Sequence, residues 1–148
     1  MDKLIKILHI EDDLTIQEIT LLSLEIAGRF SVEQCSSGRV ALSKASEYAP
    51  DLLLLDVRMP DMTGPETLRE LRKLPGFEHK PAIFMTASAQ PEEIKAYIEQ
   101  GAIAVISKPF DPMTLAKQIL DLWEQAAEKA KLNVIPLQKN PEKPMCNE

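Results

Sequence analysis

An open, doubly wound α/β sheet is the fold this chain predicts. Three observations carry it: short apolar runs recur five times, segments of helical spacing separate them, and several runs are apolar at every position. Parallel strands joined by right-handed helical crossovers satisfy all three, because helices on both faces leave no strand side facing water. With 148 residues, 45% of them hydrophobic and 27% charged, the chain suffices for one domain with a sizeable core.

The elements follow in order. Leu4 to Ile10 forms the first strand, and Ile16, Ile19, Ile26 and Ala27 set the apolar stripe of the first helix, which Gly28 closes. Asp13 caps or begins that helix, where a carboxylate meets the positive end of the dipole. Phe30 to Cys35 is the second strand, and the four leucines Leu52 to Leu55 make a third that is covered on both sides. Thr63-Gly64-Pro65-Glu66 is a capping-box pattern with a proline just inside the third helix. Ala82 to Met85 is the fourth strand, Gly101 ends the fourth helix, and Ile103 to Ile106 is the fifth strand. Asp111-Pro112 repeats the cap-then-proline arrangement for a last helix running from Pro112 to about Leu132. Leu115, Ile119, Leu122, Trp123 and Ala126 share its apolar face, which places Trp123 against the sheet. A single domain over 3–132 is expected, followed by a flexible proline-containing tail over 133–148.

Charge and cysteine content narrow the function classes. The balance of 17 basic against 23 acidic residues, net −6, argues against a nucleic-acid or anionic-lipid surface built from bulk charge. Cys35 and Cys146 lie far apart without a CxxC pattern, so neither a disulfide framework nor a zinc site is indicated. The apolar run near the N-terminus is too short for a signal h-region or a membrane span. His9, inside the first strand, and His79, in a loop, read as a buried and a solvated histidine.

In an open α/β sheet the crevice lies outside the carboxyl ends of the strands, so the residue following each apolar run is the one to inspect. Those positions hold Glu11 and Asp12 after the first strand, Asp56 after the third, Thr86 after the fourth and Lys108 after the fifth. Three carboxylates around one crevice repel one another, and Lys108 neutralises only one. The site must raise a pKa or recruit a cation, and hard oxygen donors without Cys or His suit Mg²⁺, with Mn²⁺ acceptable. Beside such an ion Asp56 stays ionised as a nucleophile for in-line phosphoryl transfer, while Lys108 and Thr86 bind the remaining phosphoryl oxygens.

With these motifs in place, the chain resembles the response-regulator receiver domains of two-component signalling, the chemotaxis receiver among them. The matching motifs are Glu11-Asp12, Asp56-Val57-Arg58-Met59-Pro60 with Gly64, Met85-Thr86-Ala87 and Lys108-Pro109-Phe110, spread from Lys3 to about Leu132. Each alone is weak; together they are specific. The resemblance implies a flavodoxin-like five-stranded parallel sheet in the order 2-1-3-4-5 with five helices. It implies that Asp56 accepts the phosphoryl group, and that Glu11, Asp12, Asp56 and the backbone carbonyl of Arg58 form the metal site, Asp12 directly and Glu11 through water. Thr86 then matches the switch hydroxyl, Ala87 a backbone amide at the phosphoryl group, and Lys108 the lysine that pairs with it. The peptide bond before Pro109 is expected to be cis, aiming Lys108 into the pocket. Val105 occupies a position where the family often carries an aromatic ring, so a ring-based readout of phosphorylation is not expected here. The family counterparts of Arg58 and Ser88 tune how fast the acyl phosphate hydrolyses.

The implied function is a cytoplasmic signalling switch with slow autodephosphorylation rather than an enzyme. The donor would be a histidine kinase or histidine phosphotransfer protein, and a downstream protein partner would read the face formed by the fourth helix, fifth strand and fifth helix. No direct nucleic-acid or membrane contact is expected, and the chain is read as a stand-alone receiver, either a monomer or a phosphorylation-dependent homodimer. Phosphorylation replaces one negative charge on Asp56 by nearly two and adds three acceptor oxygens, which draws Thr86 and Lys108 inward. The enzyme alternative is an aspartate-nucleophile phosphatase or phosphotransferase of the haloacid-dehalogenase type. That chemistry needs a second acid where Arg58 stands. A flavodoxin-like nucleotide binder would instead need a phosphate-cradling loop where Glu11-Asp12-Asp13 repels phosphate.

Overall fold

The four leucines Leu52 to Leu55 are fully buried and lie in the middle strand of the sheet, which explains the layering of the molecule. Leu53 and Leu55 point into one apolar cluster, Leu52 and Leu54 into another, so each face needs its own cover. Each such leucine contributes on the order of 1.5–3 kcal/mol by leaving water.

The computed structural model describes residues 3–139. In chain order the elements are β1 (Ile5–Ile10), α1 (Leu14–Ala27), β2 (Phe30–Cys35), α2 (Gly38–Tyr48), β3 (Leu52–Asp56), α3 (Gly64–Leu71), β4 (Ala82–Thr86), α4 (Pro91–Glu99), β5 (Ala104–Ser107) and α5 (Leu115–Lys139). Among the described residues the strands form one parallel sheet in the order β2-β1-β3-β4-β5, the doubly wound arrangement expected from the sequence. One face packs on α2 and α3 through Ala41, Ala45, Leu68 and Leu71, with Tyr97 of α4 at its edge. The other packs on α1 and α5 through Leu24, Leu115, Ile119 and Trp123. No helix among the described residues is long and apolar enough to cross a membrane.

Helix ends follow their local chemistry. The Asp13 carboxylate accepts from Thr15 N at 2.9 Å and Ile16 N at 3.1 Å, capping α1, and Gly28 closes it in the left-handed region at φ 74°. Thr63 and Glu66 exchange the two bonds of a capping box at the start of α3.

Several boundaries differ from the sequence reading. β3 and β4 each extend one residue further, to Asp56 and Thr86, because the parallel ladder continues through the pairs Asp56 with Met85 and Thr86 with Ser107. β1 begins at Ile5, not Leu4, and β5 runs one residue later than expected. Residues 112–114 form a turn instead of the first turn of α5: Met113 N donates to the Asp111 carboxylate at 2.9 Å and Leu115 N to the Asp111 carbonyl at 3.0 Å. α5 also continues to Lys139, past the expected end near Leu132 and through Pro136, which removes one helix donor without ending the helix. The first seven residues of the expected tail are therefore helical, and its remainder, 140–148, lies outside the described residues.

Candidate functional site

Strand ends bring the chemistry together. Glu11 follows β1 and is held by its N–H donating to the Cys35 carbonyl at 2.9 Å, while Asp56 is the last residue of β3 and is buried. Lys108 follows β5, its N–H donates to the Thr86 carbonyl at 2.8 Å, and the Lys108–Pro109 peptide bond is cis. The Lys108 ammonium donates to Glu11 Oε1 and to Asp56 Oδ1, both at 2.9 Å. One carboxylate oxygen from each of Glu11, Asp12 and Asp56 lies within 4.8 Å of the others. They open into a cleft of about 210 Å³ that Arg58 and Ala87 also line.

The electrostatics of this cluster are strained in one direction. Burial pushes the Glu11 carboxyl up to about 7; the Lys108 hydrogen bond opposes that shift and the Asp56 charge adds to it. Asp56 is raised for the same first reason, with Lys108 and the Arg58 amide pulling the other way and the neighbouring Asp12 carboxylate raising it further. For Lys108, burial alone would lower the pKa, but its bonds to Glu11 and Asp56 outweigh that and raise it. With all three carboxylates ionised, one ammonium leaves two negative charges at the strand ends. A divalent cation relieves that excess, and an all-oxygen donor set with an open mouth fits Mg²⁺ or Mn²⁺.

Of the residues singled out from sequence, Glu11, Asp12, Asp56, Arg58, Ala87 and Lys108 gather around the cleft. The Thr86 hydroxyl does not join them. It donates to the Ser88 carbonyl and accepts from the Ser88 N–H, each at 3.1 Å, and is buried beside the cleft. Val105 is half-buried against the core on the α2–α3 face. Asp13 reaches the mouth of the cleft, but one oxygen is committed to capping α1, and its N–H donates to Glu11 Oε2 at 3.1 Å.

Two polar networks around the site were not legible from sequence. Behind Glu11, Gln17 Nε2 donates to the Glu11 carbonyl at 2.6 Å, and Gln34 Nε2 bridges the Gln17 carbonyl at 2.8 Å and His9 Nδ1 at 3.1 Å. His9 is fully buried, its Nε2 has no partner, and burial, helped by the Lys108 charge, lowers its pKa to about 3. Ahead of Asp56, Ser88 Oγ donates to Glu93 Oε1 at 2.7 Å. A glutamine on a strand or a glutamate in a first helical turn has too many ordinary uses to signal either network.

Comparison with known proteins agrees with this geometry. The family model of the response regulator receiver domain matches residues 7–120. The probable cyclic di-GMP phosphodiesterase of Vibrio cholerae is 36% identical over 91 residues, covering 62% of this chain and 21% of that protein. The CpxR homolog of Haemophilus influenzae, a transcriptional regulatory protein, is 34% identical over 122 residues, covering 82% of this chain and 52% of that protein. The chain thus spans about a fifth and about a half of these two relatives. The crystal structure of the chemotaxis protein CheY4 of Vibrio cholerae superposes with a TM-score of 0.76 at 32% identity, covering 81% of this chain and 99% of that one. The motifs, the strand order and the family match converge on one conclusion: the chain belongs to the response regulator receiver domain family, whose members are signalling switches.

Proposed function

We propose that this receiver takes a phosphoryl group onto Asp56 from a phosphohistidine of a histidine kinase or histidine phosphotransfer protein. The single observation that carries the reading is Lys108 Nζ, 2.9 Å from both Glu11 Oε1 and Asp56 Oδ1 at the floor of an acidic cleft. That arrangement holds a nucleophilic carboxylate, buried and oriented, beside a fixed positive charge.

The chemistry is an in-line displacement. An Asp56 carboxylate oxygen attacks phosphorus, the phosphorus–nitrogen bond of the donor breaks, and the departing imidazole retains the electron pair and is protonated from solvent. Lys108, the Ala87 backbone N–H and, after rotation, the Thr86 hydroxyl would bind the three phosphoryl oxygens. Glu11, Asp12, Asp56 and the Arg58 carbonyl would hold the divalent cation. Bound there, Mg²⁺ or Mn²⁺ supplies positive charge to the phosphoryl oxygens and keeps Asp56 ionised.

An apolar groove of about 440 Å³ adjoins the cleft and shares Ile16, Ala87 and Lys108 with it, continuing over Ile19, Pro109 and Phe110. This continuity favours a donor that seats an apolar surface on the groove while presenting its phosphohistidine to Asp56. The output is a changed surface over α4, β5 and α5, read by a downstream protein in the cytoplasm.

The test is incubation with Mg²⁺ and either beryllofluoride or a small phosphodonor. A gain of one phosphoryl mass, or a spectral shift with beryllofluoride, is expected in the wild type and absent in Asp56→Asn. A response independent of Mg²⁺ or of Asp56 overturns the mechanism.

A further inference from the structure

We infer that Ser88 and Glu93 are positioning residues that latch the Thr86 hydroxyl away from the phosphoryl site, so the resting protein restrains its own switch. The inference rests on the phosphoryl-acceptor reading of Asp56 and adds the element that sets how readily that site closes.

The Thr86 hydroxyl spends its one proton and one of its two lone pairs on a single residue, as donor to the Ser88 carbonyl and acceptor from the Ser88 N–H, at 3.1 Å each. Turning the hydroxyl toward Asp56 breaks both bonds and leaves two Ser88 backbone groups to find other partners. Ser88 is not free to follow. Its Oγ donates to Glu93 Oε1 at 2.7 Å, and the same oxygen accepts from Gln90 N at 3.2 Å within the capping box of α4. The hydroxyl is therefore tied through Ser88 to the first turn of a helix.

Charge and packing support a latch over a rigid strut. Bonds from Ser88 and Gln90, with the Arg58 charge adding to them, hold the Glu93 carboxyl below its usual range, so the acceptor is ionised at neutral pH and the Ser88 bond is charge-assisted. α4 itself has no buried residue and leans on the sheet through contacts with β5 and the edge of Tyr97 against Phe84, ring centroids 5.3 Å apart. A helix so lightly held can shift once the bond breaks. One such bond at a half-exposed site biases the switch about three- to tenfold.

The alternative is that Glu93 serves only the end of α4, in which case the Ser88 hydroxyl is inert. The affinity for beryllofluoride at saturating Mg²⁺ separates the two. Ser88→Ala, which deletes one oxygen, and Glu93→Ala should each bind about three- to tenfold more tightly than wild type. Ser88→Thr, which keeps the hydroxyl, should stay within about twofold, and Glu93→Gln, which keeps an acceptor oxygen but loses its charge, should fall between wild type and Glu93→Ala. The affinity for Mg²⁺ alone should be the same in all five proteins, since neither residue touches the carboxylates. General damage to the fold would weaken binding, so the tightening is not a structural side effect. If wild type binds beryllofluoride and Ser88→Ala binds it equally or more weakly, the latch is wrong while the phosphoryl-acceptor reading stands. If wild type does not bind it at all, both fall.

Discussion

On one side of Asp56, Glu11 and Lys108 are locked into place: every polar group of Glu11 has a partner, and the network behind it runs through Gln17 and Gln34 to the buried His9. On the other side, Thr86 ends β4, and its hydroxyl is bonded to the loop over 87–90, which leads into a helix with no buried residue. The acid side is a wall whose hydrogen bonds are satisfied; the threonine side is held by a few hydrogen bonds to one loop. A group that performs in-line chemistry needs fixed geometry, whereas a group that reports on that chemistry needs two nearly equal positions. Under the proposed function these two demands fall on opposite flanks of Asp56.

The contrast is open to attack from its strongest element downward. Unfolded chain protonates His9 near 6.5 while the folded protein resists until about 3, so stability must fall as pH drops across that window. This one group can cost on the order of 3–5 kcal/mol by pH 3. Urea midpoints of wild type and His9→Val should converge with acidification, and parallel profiles would show that the buried histidine does not stiffen the acid side. Next comes Gly64, where an added Cβ would collide with the Asp56 main-chain carbonyl, a neighbour that cannot yield. Gly64→Ala should cost about 2–4 kcal/mol in thermal or chemical unfolding. A neutral result would mean the backbone under Asp56 is softer than its contacts indicate.

Glu11 titrates with the opposite sign to a normal carboxylate in a salt bridge. Its folded pKa is raised to about 7, so its stabilising contribution in the cation-free protein is present below the ordinary carboxylate range and lost as pH rises through 7. A cation needs the ionised form, so Mg²⁺ affinity should weaken as pH falls below 7, by up to about tenfold per unit. Isothermal titration at several pH values measures this slope, and Glu11→Gln should flatten it. The smallest effect belongs to the threonine side. Tyr97→Leu should lower global stability by less than about 1 kcal/mol while speeding amide exchange throughout α4. A loss as large as that of a core aromatic would make α4 part of the rigid body and erase the contrast.

Much of this is legible in the amino-acid sequence. The alternation of apolar runs with helical spacing led to the doubly wound sheet, and inspecting the residue after each run led directly to Glu11, Asp12, Asp56 and Lys108. That reading worked because strand-end position and side-chain charge are local properties. It stopped at Thr86, whose identity announced a phosphoryl-facing hydroxyl but whose hydroxyl is bonded to the Ser88 backbone, with Ser88 in turn bonded to Glu93. It also missed the end of α5, since a proline and an asparagine argue for a break that the chain does not make at residue 132.

What the amino-acid order determined alone is the inventory and its address: which charges reach the carboxyl edge of the sheet, and that carboxylates outnumber the lysine there. What the tertiary structure decided is how each charge and hydroxyl is held. Lys108 bridges Glu11 and Asp56 across 97 and 52 positions of sequence, and His9 meets Gln34 across 25. Such pairings follow from strand order and crossover geometry, which bring distant residues within hydrogen-bond range, and no local pattern of residues encodes them.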